Sequence, residues 1–149
     1  MQQSIGMKRK KIDTLKNSYE FDIVFKNGWR FNREFMAIYV IPLRDFILHL
    51  RKKKQYNRMI ESKMLLGFSI NKKVATACKR NLIRRQIKAI MQEFHVNYKG
   101  YAFVFICRKG IVEYDFIALK KHILYSIKRL TQSKNTRDIR DTSKYSPIS

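Results

Sequence analysis

The sequence predicts an α/β protein, an antiparallel-containing sheet with helices packed against it. Three stretches, FMAIYVI (35–41), MLLGFSI (64–70) and YAFVFIC (101–107), are rich in aromatic and branched apolar residues, the composition of strands. Around them, over 16–27, 71–94 and 113–130, apolar residues recur every three to four positions, the period of helices with one buried face. A length of 149 residues points to one domain, and a hydrophobic content of 45% can furnish its core.

In chain order, residues 1–11 are polar and basic and are expected to form a flexible arm, with the folded domain spanning 12–132. In KNSYEFDIVFKN (16–27), Phe21, Val24 and Phe25 share one helical face. Ser18 is placed to cap that helix, and Gly28 to end it in a left-handed conformation. The strand 35–41 follows, and Pro42 stops it. The stretch 43–63 is the hardest to assign. Apolar FILHL gives way to basic RKKKQYNR, which fits a long hairpin excursion with a helical turn or a basic insertion loop. In 71–94, Thr76 is the expected N-cap, and Ile83, Ile87, Ile90, Met91 and Phe94 fall on one face. The strand 101–107 is apolar on both faces, as a central strand would be. Phe116, Leu119, Ile123, Ile127 and Leu130 form the stripe of a last helix, and the nearly apolar-free 133–149 is expected to be a disordered tail.

Charge narrows the function. With 33 Lys+Arg against 11 Asp+Glu the net is +22, which points to a polyanionic partner. No apolar run approaches the roughly 20 residues that span a bilayer. The N-terminal MQQSIGMKRKKID has no apolar signal region, so no membrane partner and a cytoplasmic location are expected. Cys78 and Cys107 lack metal-ligand spacing and read as reduced, buried or half-buried thiols. His49, His95 and His122 are scattered, and no HExxH, GxSxG or phosphate-binding glycine loop occurs. No catalytic or metal site is expected within the protein itself.

The basic charge concentrates on the helix at 71–94. From Lys72 to Lys88 there are seven basic residues and no acid. Lys79 and Arg80 fall in the first turn, where the helix dipole disfavours cations by roughly 0.3–1 kcal/mol each. No carboxylate at i±4 within this stretch relieves their repulsion. A helix that accepts these costs suits phosphate, with arginines adding bidentate contacts. The candidate RNA-binding residues are therefore Lys72, Lys73, Lys79, Arg80, Asn81, Arg84, Arg85 and Lys88.

A second pattern competes. KGYAFVFI (99–106) follows the signature strand of RNA-recognition motifs except at Ile106, and Ile38 to Leu43 looks like its companion. That fold requires a further strand after its second helix, where this chain has a polar tail. A central strand rich in Phe and Tyr gives the same pattern through packing.

GFSINKKVATACKRNLIRRQIKAI resembles the core motif of the protein component of bacterial ribonuclease P. Gly67, Ser69, Lys72, Lys73, Ala77, Arg80, Asn81, Ile83 and Arg85 match that motif directly; Arg84 stands for Lys and Lys88 for Arg. LKNSYEFDIVFKNG is similar to the family's N-terminal helix, with paired phenylalanines and a closing glycine, and Arg108 also fits. Three positions depart: Leu82 replaces an Arg, Ala75 a Gly and Asn71 a Ser. The resemblance covers about residues 15–130, with 43–63 longer than the family's ordinary connection.

The resemblance implies an α+β sandwich, ribosomal protein S5 domain 2-like, with the basic helix in a left-handed βαβ crossover. It implies an endoribonuclease holoenzyme that matures the 5′ end of tRNA, whose RNA subunit is the catalyst and holds Mg2+. The partners implied are the ribonuclease P RNA and precursor tRNA. The basic helix would bind the RNA subunit, while Phe21, Phe25 and Tyr39 would bind the single-stranded leader. A non-catalytic RNA-binding module, such as a ribosomal protein or an RNA-recognition-motif-like protein, stays open as the alternative.

Removing 133–149 should leave the melting temperature unchanged, because that segment offers little apolar surface to bury. A large drop on calorimetry would show that it packs on the domain.

Overall fold

The structure, a computed structural model, describes residues 12–52, 60, 62–95 and 97–132. Its elements are β1 (Ile12–Thr14), α1 (Ser18–Asn27), β2 (Trp29–Asn32), β3 (Met36–Pro42), α2 (Leu43–Arg51), β4 (Met64–Ile70), α3 (Ala77–Glu93), β5 (Tyr101–Cys107), a single 3-10 turn (Ile111–Glu113) and α4 (Phe116–Gln132). The proposed arm 1–11, the proposed tail 133–149 and residues 53–59, 61 and 96 lie outside the described residues.

The five strands form one mixed sheet in the order β1-β4-β5-β3-β2. β1 and β5 run parallel to β4, while β3 is antiparallel to both β5 and β2. β5 is central, as its two apolar faces predict, and Ala102 to Phe105 are fully buried. Phe103, Phe105 and Cys107 face the core shared with α3 and α4. Ala102 and Val104 face the second core, built with α1 and α2. The molecule is thus three layers, with helices on both faces of the sheet.

The RNA-recognition-motif alternative fails on this geometry. Phe103 and Phe105 have no exposed surface and cannot stack on a base. Gly100 is required for a different reason: its φ is +91°, a left-handed turn into β5 that L side chains rarely adopt.

Several expectations hold, and several need correction. β4 and β5 have the predicted bounds, and the apolar stripe of α3 is buried at Ile83, Ile87, Ile90 and Met91. Phe94 is only half-buried. In α4, Leu119, Ile123, Ile127 and Leu130 are buried, but Phe116 at the first turn is exposed. Ser18 does not cap α1. Asn17 occupies that position without a side-chain bond. Instead the buried Glu20 carboxylate reaches back and accepts the Lys16 N–H (2.6 Å). Cys78 is exposed rather than buried, while burial of Cys107 pushes its thiol up to about 12.

The assignment of 43–63 to an insertion loop is wrong for its first half, which is α2. Phe46 and Leu50 are fully buried four residues apart, and Leu43 and Ile47 pack beside them against α1 and the sheet. Arg51 in the last turn complements the helix dipole. Pro42, with no N–H to donate, ends β3, and the Leu43 amide donates to Gly100 O (2.7 Å).

Gly28 is also not left-handed. Its φ is −94°, so the backbone conformation itself does not demand glycine. Space does: a Cβ there would lie 2.6 Å from Val40 O and 2.8 Å from Val24 O, both backbone atoms. Gly28→Ala should therefore cost about 1–3 kcal/mol, the range for forced overpacking. Urea denaturation measures it, and a loss near zero would show that β2 and β3 can separate freely at that point.

Candidate nucleic-acid interface

The helix α3 is the crossover between the parallel neighbours β4 and β5. Its start is well defined. Asn71 Oδ1 accepts the Lys73 N–H (2.8 Å) and Asn71 O accepts the Val74 N–H (2.9 Å), closing a turn that leaves Lys72 and Lys73 exposed. Thr76 Oγ1 accepts the Lys79 N–H (3.3 Å), as an N-cap does. The replacements at Asn71 and Ala75 are therefore accommodated. Asn71 makes the turn itself, and among the described residues no residue other than glycine has a positive φ.

The basic residues divide into held and free. Arg80 folds back, its Nη1 donating to Ala75 O (2.9 Å) and satisfying one of the polar groups ahead of the helix. Arg84 Nη1 donates to Asn81 Oδ1 (2.7 Å), so these two side chains form one unit. Arg84 is half-buried, and its charge faces Cys107 closely enough to oppose part of the thiol's upward shift. Lys72, Lys73, Asn81, Arg85 and Lys88 are exposed, and Lys79 is half-buried. Among the described residues none of the seven cations pairs with a carboxylate; the ion pair at the far end of α3 joins Glu93 to Lys120 (3.0 Å). The eight predicted residues thus lie together on one continuous turn-and-helix surface.

The three aromatics assigned to the leader meet on the other face of the sheet. Tyr39, Val104 and Gly67 are register partners across β3, β5 and β4. The Phe21 ring lies directly over Gly67, where a Cβ would come within 2.8 Å of it. Phe25 sits edge-on to Tyr39, with centroids 4.9 Å apart, and 6.3 Å from Phe21. Phe25 is 37% exposed, and Phe21 and Tyr39 are half-buried. The next register row, Ala37, Ile106 and Ser69, includes an exposed Ser69 and a half-exposed Ile106 beside this ledge. Sequence reasoning missed Ser69 and Ile106 as parts of this face. The period-2 alternation of β4 and β5 carries the signal, since both stand two residues beyond the row that contains Gly67 and Val104.

Among the described residues no three of His, Cys, Asp and Glu come together in a way that could hold a metal ion, and no helix is long and apolar enough to cross a membrane.

A family model described as Ribonuclease P matches residues 9–131. The chain belongs to the ribonuclease P protein family. It is 35% identical over 134 residues to the ribonuclease P protein component of Helicobacter hepaticus, covering 87% of this chain and 92% of that one. It is 30% identical over 119 residues to that of Streptococcus agalactiae, covering 80% and 94%. The fold matches the ribonuclease P protein of Staphylococcus aureus with a TM-score of 0.60 at 17% identity, covering 77% of this chain and 92% of that one. For the Thermotoga maritima protein the TM-score is 0.59 at 23% identity, covering 78% and 96%. The protein is thus the protein subunit of ribonuclease P, an endoribonuclease whose protein works with an RNA subunit in the 5′ processing of tRNA.

Leu82, where the family motif has Arg, is half-buried and belongs to neither apolar core. Leu82→Arg should leave stability within about 1 kcal/mol, since a long side chain at such a site keeps its charge in water. It should tighten binding to ribonuclease P RNA. Measuring both melting temperature and RNA affinity decides the matter, and a loss of stability with no gain in affinity would place Leu82 in the core.

Proposed function

We propose that the two surfaces divide the work of the subunit. The turn-and-helix surface from Lys72 to Lys88 binds the ribonuclease P RNA. The aromatic ledge of Phe21, Phe25 and Tyr39 binds the leader of precursor tRNA, and Mg2+ is held by the RNA subunit. The observation that carries this reading is chemical segregation. Unpaired cations lie on α3, whose apolar face packs on one side of the sheet, while a partly exposed aromatic cluster lies on the other.

Each surface suits its ligand. Cations without carboxylate partners keep their full field for phosphate, and their binding releases counterions. They bring two polyanions together and so lower the Mg2+ needed for that purpose. Arg30 is the register partner of Tyr39 on β2 and adds a cation beside the rings. A base stacked on an aromatic side chain contributes about 1–3 kcal/mol with little preference among bases, which suits leaders of many sequences. Mg2+ prefers hard oxygen ligands and phosphates. Held by the RNA subunit, such ions would supply the activation of the attacking water, and the protein's part is to fix the substrate relative to the RNA.

Replacing Arg85 and Lys88 by Ala should weaken binding to ribonuclease P RNA and reduce the salt dependence of affinity by about one unit of log–log slope per lost phosphate contact. Affinity measured across a salt series gives the slope. An unchanged slope would make this a face that only meets solvent.

Phe25→Ala and Tyr39→Ala should weaken holoenzyme binding of precursor tRNA by about 1–3 kcal/mol per lost stack while sparing mature tRNA, which has no leader. Phe25 is the safer variant, because its exposure limits the folding penalty. Equal losses for both tRNAs would remove the leader from this ledge.

A further inference from the structure

A third cationic feature is built from residues that neither surface uses. Arg33 closes the turn between β2 and β3, its N–H donating to Met36 O (2.7 Å) while Arg108 Nη1 donates to the Arg33 carbonyl (2.7 Å). The Arg33 side chain is only 4% exposed. A guanidinium stays charged at any accessible pH, and burying that charge is costly unless it is matched. Among the described residues no carboxylate pairs with it.

What surrounds Arg33 is aromatic and basic. Its guanidinium lies 5.4 Å from the centroid of Tyr125, 5.9 Å from Phe31 and 6.0 Å from Phe35. Nη2 is 2.9 Å from His122 Nδ1. An arginine nitrogen can only donate, so Nδ1 accepts and the neutral imidazole carries its proton on Nε2. Burial, and then the Arg33 charge, hold the His122 pKa below its ordinary value, in keeping with that neutral form. Arg33 Nε is buried with no hydrogen-bond partner. Nearby, Arg129 Nη1 donates to the Tyr125 hydroxyl (3.0 Å).

A cavity of about 420 Å³ opens at this point, lined by Arg33, Ala118, Lys121, His122 and Tyr125. Among the described residues its wall offers a guanidinium without a carboxylate partner, an exposed ammonium, a neutral imidazole and a half-exposed phenol that Arg129 also approaches (5.8 Å to the centroid), with no carboxylate. That is the donor set of a phosphate site with a stacking ring beside it. Its place in the fold favours RNA. Met36 of β3 and Ile70 of β4 are both register partners of Cys107, so the turn bearing Arg33 and the turn bearing Lys72 and Lys73 leave the sheet at the same end.

We propose that this cavity is a further phosphate-binding site, in which Arg33 and Lys121 hold one phosphate of an RNA strand and Tyr125 stacks on its sugar or base. The site uses none of the residues assigned to α3 or to the leader ledge. It rests on the family's RNA partner alone, so it can fail while those assignments stand.

The test uses the full chain and two probes, inorganic phosphate and a short single-stranded oligouridine, at constant ionic strength. The ring signals of His122 are followed by NMR, with His49 and His95 as internal references. Phosphate should shift the His122 signals saturably and raise its pKa, because an adjacent anion favours the imidazolium. Oligouridine should displace the phosphate and bind more tightly. Lys121→Ala should weaken both ligands about three- to tenfold, as loss of a charged contact does. Tyr125→Ala should weaken only the oligouridine. Both side chains are exposed, so these variants test the site without removing the buried Arg33. If phosphate leaves His122 unmoved, Arg33 is a structural plug held by its aromatic rings and the proposal is overturned. Saturation by phosphate that oligouridine cannot displace would overturn RNA as the occupant.

Discussion

The requirement that both faces of β5 stay dry organises this molecule. Four consecutive residues of that strand, Ala102 to Phe105, are fully buried, so each face needs its own helical cover. The face bearing Phe103 and Phe105 is covered by α3 and α4, and the face bearing Ala102 and Val104 by α1 and α2. A parallel neighbour can be reached only by a crossover, and here that connection is α3. The helix that carries the densest positive charge is therefore also a helix the fold cannot do without.

That coupling explains how so basic a helix persists. Burying an isoleucine or methionine side chain contributes about 1.5–3 kcal/mol, and α3 buries Ile83, Ile87, Ile90 and Met91. Cations near the helix start cost only roughly 0.3–1 kcal/mol each, and water and salt screen them. Packing outweighs repulsion, and the unpaired charges remain available to a partner. The opposite solution, pairing each cation with a glutamate at i+4, would add a few tenths of a kcal/mol per pair and cancel much of the attraction for phosphate.

The same balance decides which parts of the fold could be read from the sequence. α3, α4, β4 and β5 have long periodic patterns and all four were legible, although α4 starts at Phe116, after a separate 3-10 turn, and not at 113. β1 and β2 span three and four residues, too short to show a period. α2 was obscured because only Phe46 and Leu50 of its nine residues are buried, little more than one turn of pattern before the cations at 51–54. Gly28 was legible as a helix end but not for its cause, since the close approach of Val40 O involves a strand distant from it in the helix's own pattern. For the candidate site, charge and family motif gathered all eight residues of the turn-and-helix surface. The rings of Phe21, Phe25 and Tyr39 also meet as grouped. The exposure of Phe25 was not legible, because helical spacing places it on the same side as buried Val24 without showing where the apolar cover ends.

The KGYAFVFI strand shows why exposure, rather than residue identity, carries function here. In an RNA-recognition motif the aromatics of this pattern lie on an open sheet and stack on bases. In this protein α3 and α4 cover that face, and the rings become core. The exposed aromatic surface appears instead on the opposite face, where Gly67 has no side chain and Phe21 settles over it. Ile106, the residue that breaks the signature, is half-exposed on that opposite face, two positions beyond Val104. The alternation of one strand thus assigns Phe103 and Phe105 to stability and leaves Ile106 beside the ledge. A polar residue at 106 would wet the edge of that ledge without disturbing the dry core beneath α3 and α4, so the two faces of β5 can vary separately.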